Sequence, residues 1–566
     1  MLLLNHNHLD GLHPDSMKGL NQLTVLDLSF NWLRLDYDTY PSDVFRSLIS
    51  LQELYLLGND DPKWGCYPDK IFLPLSNLTV LSIDAFPYCK FDGAGFRALE
   101  NLRVLRMQAA DCISRLKSVT NATFSAFRNS SLEELYLGST HLVAVDVCAF
   151  CELPKLRVLS VVGSIVNLTT LLSALYGLQQ QNMTLIDFNG SGSVEAVILD
   201  WADMRYLRYI CVSQLVLSYT NIQRVRNEFL LSGHAEPFED CLEHLDVSGN
   251  LIAGDKMAFF MCVNMKSIKS VQMQAQFVFS LETAKCALGQ DTACARITPK
   301  HHLGNITFGV SPTLQLLNLS ATIHRVGSPP DYVIFRNAFS LKVMDLSYAQ
   351  LSNCITTIVG LSALETLDLT GNYCYNISET FFDTFPTLRH LRLSNFNLNL
   401  QFFRSHGHRL FQNLLQLESL DLSLNGLVNI DPFLLSSQRQ LRRVSLAGNA
   451  FESMPLALSL TPTLQELDLR DNALHTLLPK ERGELDTLGS RHNFTLRLRG
   501  NPLLCACSNL DFLQWLWTTR VRMDGDGGGG KYTCVLDTGE VTDTATVIRH
   551  YNDHWRRCTG RFTPLR

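Results

Sequence analysis

The stretch LESLDLSLNGL, residues 417–427, decides the fold, because close variants of it return along the whole chain. The variants follow the pattern L-x-x-L-x-L-x-x-N-x-L, and most successive copies start roughly 23 to 30 residues apart. Self-similarity with such a period predicts a stack of equivalent coils rather than one compact core. The other clear copies begin at Leu23, Leu132, Leu156, Leu242, Leu341, Leu364, Leu441 and Leu464.

Each position of the pattern has a physical role. Within L-x-x-L-x-L the apolar residues alternate as a strand requires, so that Leu417, Leu420 and Leu422 point inward. The intervening Asp421 and Ser423 are expected to face solvent. A short amide at the asparagine position satisfies backbone groups where the chain turns, and we expect a ladder of such amides from coil to coil. The ladder residues are Asn31, Asn250, Asn372, Asn425, Asn449 and Asn472.

A phenylalanine precedes the next strand in several coils, and rings at that place are expected to stack into a spine. These residues are Phe45, Phe96, Phe150, Phe382 and Phe411.

Together the patterns predict an α/β fold, a leucine-rich-repeat solenoid over residues 1–500. It has a curved parallel β-sheet on its concave face and short helices and loops on its convex face. Parallel strands lie about 4.8 Å apart, so roughly twenty coils give a sheet on the order of 100 Å long. Amphipathic elements of an ordinary domain would not repeat an asparagine at a fixed offset.

The repeat is interrupted around residues 274–313, which include CALGQDTACARITPKHHLGN from Cys286. Such an insertion leaves the solenoid as a loop, and pairing of Cys286 with Cys294 would staple it. Loops on rigid scaffolds often carry binding, which makes this insertion a candidate ligand contact. A tolerated insertion without function is the alternative.

The repeat stops at NPLLCACSNLDFLQWLW, and residues 501–560 are predicted to form a small cap over the last coil. Apolar residues spaced like the inner face of a helix are Phe512, Leu513, Trp515 and Leu516. A module this small needs cross-links, and the spacing of its four cysteines leaves three pairings open. They are Cys505, Cys507, Cys534 and Cys558. Residues 561–566 form a tail, after which the chain is expected to continue.

The 16 cysteines indicate an oxidising compartment, because cytosolic proteins seldom pair cysteines. A net charge of -6, spread along the chain, gives no sign of a nucleic-acid or membrane-surface binder. The start, MLLLNHNHLD, lacks the features of a secretion signal, and no run of about 18 apolar residues predicts a transmembrane helix. An oxidised chain without a signal is expected to be part of a larger protein, with a truncated or secreted form as the alternative.

The segment NPLLCACSNLDFLQWL resembles the C-terminal leucine-rich-repeat flanking cap of Toll-like receptors, and the array before it resembles their ectodomain. The resemblance covers essentially the whole chain. The family pairs the first cap cysteine with the third and the second with the fourth, which implies Cys505–Cys534 and Cys507–Cys558. The sequence departs from the family in lacking an N-terminal cysteine cap, a membrane span and a cytoplasmic signalling domain.

The resemblance implies a ligand-binding ectodomain of an innate immune pattern-recognition receptor that signals when ligand brings two ectodomains together. The implied partners are a microbial ligand of unknown class, a second receptor ectodomain and, through a signalling domain outside this chain, a downstream adaptor. The implied location is the extracellular or endosomal-lumenal side of a single-pass membrane protein. The alternative is a secreted or cell-surface leucine-rich-repeat adhesion or matrix protein.

Further modifications are expected outside the cap. Cys66, Cys89 and Cys112 are spaced by about one coil, so neighbours among them are candidates for pairing, as are Cys354 and Cys374. The N-x-S/T sequons predict glycosylation at Asn77, Asn121, Asn129, Asn167, Asn182, Asn189, Asn305, Asn318, Asn376 and Asn493.

Two patterns imitate catalytic or metal sites. GDGGGGKY from Gly525 nearly spells a phosphate-binding loop, but Tyr532 replaces the Ser or Thr that would hold magnesium. Paired histidines lack the cysteine or carboxylate that would complete a metal site. We therefore expect no catalytic, cofactor or metal site, and a protein that binds rather than catalyses. The histidine pairs are His6 and His8, His301 and His302, and His406 and His408.

Overall fold

The computed structural model divides the chain into two compact units, Met1–Ala284 and Lys285–Arg566. Each unit is a stack of coils, and each coil contributes one short strand to a parallel sheet. The structure describes residues 1–59, 65–84, 89–107, 116–138, 142–192, 195–200, 202–225, 237–252, 265–276, 305–322, 331–351, 353–491, 493–524 and 532–559.

In the first unit, each strand pairs in parallel with the strand of the preceding coil. Leu26 lies opposite Leu2 on one side and Leu54 on the other, so the central leucines of neighbouring coils are in register. The strands are Leu2–Leu3, Val25–Asp27, Glu53–Tyr55, Val80–Ser82, Val104–Arg106, Glu134–Gly138, Val158–Val162, Asn182–Asp187, Cys211–Val216, His244–Asp246 and Ser270–Gln272.

The second unit repeats this arrangement. Its sheet strands are Leu316–Asn318, Val343–Asp345, Thr366–Asp368, His390–Arg392, Ser419–Asp421, Arg443–Ser445, Glu466–Asp468, Thr495–Arg497 and Arg522–Met523.

Short parallel sheets lie elsewhere in the coils. In the first unit these pair Ser118–Val119 with Ala144–Val145 and Val197–Leu199 with Ile222–Val225. In the second unit Tyr332–Arg336 lies between Ile306–Gly309 and Thr357–Val359, and Asn353–Cys354 pairs with Asn376–Ile377.

Helices are short and occupy the return path of the coils. The α-helices of the first unit are Ala94–Arg97, Leu168–Ala174 and Pro237–Cys241, and its 3-10 helices are Asp69–Phe72, Ser125–Phe127, Leu175–Leu178 and Leu207–Tyr209. The α-helices of the second unit are Leu400–Phe411, Pro479–Arg491, Leu510–Thr518, Thr544–Arg549 and Tyr551–Thr559, and its 3-10 helices are Leu458–Leu460 and Cys507–Asn509. No helix in the described ranges is long and apolar enough to cross a membrane.

The alternation expected from the sequence is confirmed, because the central leucine of each coil is buried while its strand neighbours are partly exposed. Leu26, Leu54 and Leu420 are at most 1% exposed. Asp421 and Ser423, which were expected to face solvent, are partly exposed and also make hydrogen bonds. Asp421 Oδ1 accepts the Ser423 N–H at 2.9 Å, and the Ser423 hydroxyl donates to Ser394 Oγ at 2.8 Å, so both side chains are half-buried.

The asparagine ladder is confirmed. Asn250, fully buried, donates from Nδ2 to the carbonyls of Leu217 and Val247 and accepts the N–H groups of Thr220 and Ile222. One amide thus satisfies backbone groups of two neighbouring coils. Further rungs, beyond those predicted from the sequence, are Asn59, Gln276 and Asn501.

The residue before each ladder position adopts a positive φ, which only glycine adopts without strain. Glycine occupies several of these places, including Gly249 (φ 64°) and Gly448 (φ 66°). Tyr219 and Leu424 adopt φ values of 55° and 58° at equivalent places, at a cost of about 1–2 kcal/mol each. Their side chains lie where a Cβ on the glycine of the following coil would stand. At these two places a bulky turn residue is accommodated by a glycine one coil further on, whereas His6 is accommodated by stacking on Phe30 of the next coil.

The phenylalanine spine is confirmed in part of each unit. All five predicted rings are at most 3% exposed. Phe96 contacts the rings of Phe72 and Phe127, with centroids 4.8 and 6.1 Å away, and Phe382 stacks on Phe411 at 5.9 Å.

The last coil of the second unit is covered by a small cap. Helix Leu510–Thr518 buries the four residues predicted for its inner face. The structure bonds Cys505 to Cys534 and Cys507 to Cys558, the pairing that the resemblance implies. The remaining described disulfides are Cys66–Cys89, Cys148–Cys151, Cys211–Cys241 and Cys354–Cys374.

Candidate ligand-binding surface

The outward-facing side of the first unit's sheet carries a group of aromatic and charged side chains. The parallel register places Tyr55, Ser82, Arg106 and Tyr136 side by side on four successive strands. Neighbouring strands are about 4.8 Å apart, so this row spans roughly 15 Å. We call these four residues, together with Glu53 and Glu134, the tyrosine cluster.

Two Glu-Leu-Tyr triplets frame the cluster. The Tyr55 hydroxyl donates to Glu53 Oε2 at 2.7 Å, and the Tyr136 hydroxyl donates to Glu134 Oε2 at 2.8 Å. Residues two apart on a strand share a face, which is why each glutamate reaches its own tyrosine. Burial raises the pKa of Tyr55 to about 12, and the Glu53 carboxylate adds to the rise. Burial and Glu134 likewise raise the pKa of Tyr136.

Arg106 and Ser82 lie between the two tyrosines. The Arg106 guanidinium stands 5.3 Å from the centre of the Tyr136 ring, a cation–π contact. Ser82 is 1% exposed, and its hydroxyl has no hydrogen-bond partner in the described part of the chain. Half-buried Val80 and Val104 fill the row beside them. The cluster thus combines fixed aromatic rings, one guanidinium and an apolar floor.

This set of side chains is suited to recognition. Tyrosine and arginine are the residues most often found at the energetic centre of protein interfaces. Because both hydroxyls are already held by carboxylates, little side-chain freedom would be lost on binding. These residues were not predicted as a site from the sequence, although the repeated ELYL of residues 53–56 and 134–137 was a visible signal.

On the sheet face of the second unit, charges are paired between neighbouring coils, and the first unit has similar pairs at Arg103–Glu133 and Lys269–Glu243. Glu418 lies between Arg389 and Arg442, at 3.4 and 4.0 Å. Glu466 lies between Arg443 and Arg497, at 3.7 and 2.7 Å. Two more pairs, Lys342–Glu365 at 3.0 Å and Arg392–Asp368 at 3.1 Å, complete what we call the ion-pair ladder.

The predicted insertion contact cannot be placed, since residues 277–304, with Cys286 and Cys294, lie outside the described residues. Cys112 lies outside them as well, as do His301 and His302. Residues 525–531 of the glycine-rich segment that imitates a phosphate-binding loop also lie outside the described residues. Tyr532 at the end of that segment is buried, and its hydroxyl donates to Asp524 at 2.7 Å.

The remaining histidine pairs have structural neighbours. His6 stacks on Phe30 of the next coil, and His8 packs against Trp32 with the two rings tilted by 44°. In helix Leu400–Phe411, His406 faces Glu379 at 4.0 Å and His408 faces Asp431 at 3.0 Å.

A grouping of Cys507, Asp537 and Cys558 has metal-like proximity. Its two cysteines are bonded to each other, which removes their thiolates as metal ligands.

The sequons fall into two classes. Asn167 caps helix Leu168–Ala174, Asn189 accepts from the Ser218 hydroxyl, and Asn318 accepts the Ser320 N–H, so these half-buried amides have structural roles. The exposed sequon asparagines are Asn77, Asn121, Asn129, Asn182, Asn305, Asn376 and Asn493.

Known proteins resemble this chain both in the single repeat and over the whole series of repeats. A family model described as "Leucine rich repeat" matches residues 1–60. The chain is 24% identical to "Toll-like receptor 4" of Pinctada imbricata over 94% of its own length and 61% of that protein. It is also 24% identical to "Transforming growth factor beta activator LRRC33" of Danio rerio, over 95% of this chain and 73% of that one.

Among solved structures, the mouse RP105/MD-1 complex aligns with 93% of this chain and 91% of its own, at 16% identity and a TM-score of 0.43. The chain thus spans less than two thirds of the Toll-like receptor that it matches. Its fold is a leucine-rich-repeat solenoid, and its sequence is similar over nearly its whole length to a Toll-like receptor.

Proposed function

We propose that this chain, similar to a Toll-like receptor along 94% of its length, is the ligand-binding ectodomain of a pattern-recognition receptor of innate immunity. In this proposal a microbial ligand pairs it with a second ectodomain, and an adaptor is reached through a signalling domain outside this chain. The observation that carries the proposal is that similarity. The repeat array and the disulfide-bonded cap support it, and they favour the extracellular or endosomal-lumenal side of a membrane.

The tyrosine cluster is our candidate for the ligand contact. It presents Tyr55, Arg106 and Tyr136 on a rigid sheet, where their positions are set by strand register and by the two glutamates. The ion-pair ladder is a weaker candidate, because each charge there already has a partner. We propose that the chain binds rather than catalyses.

A chimera tests this proposal. Residues 1–566 are fused to the membrane span and signalling domain of a Toll-like receptor and expressed in reporter cells. The cells are challenged with a bacterial lipopeptide, lipopolysaccharide, flagellin and single-stranded RNA. We expect one of these to induce the reporter, and Tyr55→Ala with Tyr136→Ala to reduce the response at least about tenfold, as for interface hot spots.

Two controls make the result decisive. Antibody cross-linking of the chimera shows that its signalling domain works. Tyr209→Ala is the matched control for the double substitution, because it removes an exposed tyrosine that also contacts an arginine, 5.4 Å away, but lies off the sheet. A chimera that answers the antibody and none of the four probes contradicts the receptor proposal. A response that survives the double substitution contradicts the assignment of the cluster only.

An adhesion, matrix or growth-factor-handling role is the second candidate. It is favoured by the similarity to the zebrafish transforming growth factor beta activator, which extends over 95% of this chain. Sequencing the transcript downstream of the codon for residue 566 distinguishes the two candidates. A membrane span and signalling domain there would support the receptor, whereas a stop codon would support a secreted binder.

A further inference from the structure

A polar groove runs along the edge of the first unit's sheet, where the chain enters its strands. It is open to solvent, has a volume of about 550 Å³ and is lined by Ser50, Gln52, Asn77, Thr79, Asn101, Arg103 and Ser131. These residues lie just before or after the buried Leu51, Leu78, Leu102 and Leu132 of four successive coils. The lining therefore repeats from coil to coil, and every lining side chain ends in a hydroxyl, amide or guanidinium group.

One lining residue begins a glycosylation sequon. Asn77 is exposed and begins the sequon Asn77-Leu78-Thr79, and Thr79 also lines the groove. Its Nδ2 donates to the Ile49 carbonyl of the preceding coil at 2.8 Å. A carboxamide nitrogen carries two hydrogens, so one remains for substitution by a sugar while the other keeps this bond.

The groove's chemistry suits a tethered sugar better than a free ligand. Sites that bind small molecules from solution are mostly apolar or aromatic, and this lining has no such side chain. A sugar attached at Asn77 needs little intrinsic affinity, because its tether holds it at a high effective concentration. Arg103 uses one nitrogen for Glu133, at 2.7 Å, and keeps further N–H donors for hydroxyl or acetamide oxygens.

We propose that Asn77 is N-glycosylated and that the first sugars of the glycan lie in this groove. In the modification, Nδ2 of Asn77 bonds to the anomeric carbon of a lipid-pyrophosphate-linked oligosaccharide. The carbon–oxygen bond to the pyrophosphate breaks, and the Nδ2 proton passes to a base of the transferring enzyme. The bound sugars shield the strand-entrance edge from Ser50 to Ser131. This proposal does not depend on the ligand of the receptor.

The experiment uses residues 1–566 secreted from animal cells. Glycopeptide mass spectrometry measures occupancy at Asn77 and at Asn121, an exposed sequon outside the groove. The folded protein is then treated with peptide N-glycosidase, and release is followed at both sites. We expect release at Asn77 to be about tenfold slower than at Asn121, the protection that a few sugar–groove hydrogen bonds supply. The rates should become equal after reduction and heating.

Substitutions of groove residues distinguish protection of the glycan by the groove from effects of the sequence around Asn77. Gln52→Ala with Arg103→Ala should accelerate release at Asn77 about threefold or more and leave Asn121 unchanged, while Arg157→Ala, outside the groove, should change neither. Thermal unfolding of each variant verifies that it is folded. An unoccupied Asn77 beside an occupied Asn121, or equal release from the folded protein at both sites, would overturn the proposal.

Discussion

The sheet faces of the two units are built from the same kind of short parallel strands beside an asparagine ladder, but the side chains at their outward positions differ. In the first unit, each tyrosine of the cluster is fixed by a glutamate on its own strand, and Arg106 contacts a ring. In the second unit, arginines and glutamates of neighbouring strands neutralise one another. A face whose charges are satisfied internally must break those pairs to bind a partner. A face of fixed rings offers contact area without that loss.

The largest expected effect addresses what the two units share. Asn59→Leu in the first unit and Asn449→Leu in the second each leave two N–H groups without an acceptor and take one donor away from each of two carbonyl groups. We expect each substitution to lower the free energy of local opening by about 3–5 kcal/mol, measured by native-state hydrogen exchange at the affected amides. Asn413→Leu, at an exposed residue with one side-chain bond, is the control. Losses below about 1 kcal/mol would mean that the ladder does not stabilise the coils.

Substitution of the glycine that precedes a ladder residue should have a smaller effect on stability in both units. Gly249→Ala and Gly448→Ala add a Cβ where Tyr219 and Leu424 lie, and they force a positive φ on alanine. We expect a destabilisation of about 1–3 kcal/mol, seen as a lower midpoint of thermal unfolding. Adding Tyr219→Gly to Gly249→Ala should restore part of the loss. An additive double variant would show that the contact between the two coils is not its cause.

The ion-pair ladder should contribute little to stability. Glu466→Gln removes the partner of Arg443 and Arg497, whose side chains are 64% and 38% exposed. Exposed pairs of this kind contribute about 0–1 kcal/mol, and salt weakens them further. The expected outcome is a small loss by urea unfolding at low salt that vanishes at high salt. A loss that is large and independent of salt would contradict our comparison of the two faces.

The smallest effect is spectroscopic. The absorbance difference at 295 nm between the wild type and Tyr55→Phe isolates the ionisation of one tyrosine, and we expect its midpoint near pH 12. Because the pKa is raised in the folded state, any stabilisation from neutral Tyr55 is present below pH 10. It is lost as the pH rises through 12. Glu53→Gln should move the midpoint towards 10, and an unmoved midpoint would exclude the role of Glu53.

Much of the fold was predictable because each copy of the repeat has its leucines and its asparagine at the same positions. The inward leucines, the cap helix with Phe512 and Trp515, and rungs such as Asn449 follow from spacing alone. Gln276 was not predictable, because a longer amide replaces asparagine and still reaches the Val247 and Met273 carbonyls. The Cys148–Cys151 disulfide has no periodic signal, whereas the 30-residue separation of Cys211 and Cys241 is about one coil and was a visible signal.

The tyrosine cluster was not predicted as a site from the sequence, although the repeated ELYL was a visible signal. Coils differ in length, so the strand partner of a given residue is fixed only when the register is known. Ser82 lies beside Tyr55 and Arg106, although 27 and 24 residues separate it from them. The outward positions also carry no hydrophobic pattern that would predict their neighbours.

The pairing of a bulky turn residue with the glycine of the following coil has a consequence for how such an array changes in evolution. Tyr219 lies where a Cβ at Gly249 would stand, so a transplanted coil with a side chain at that turn fits only if the two side chains can rearrange, as His6 and Phe30 do by stacking. Duplication or shuffling of single coils is therefore restricted to compatible neighbours. Neighbouring coils are therefore matched to one another at this turn. We expect insertion of another coil between the coils of Tyr219 and Gly249 to destabilise the array.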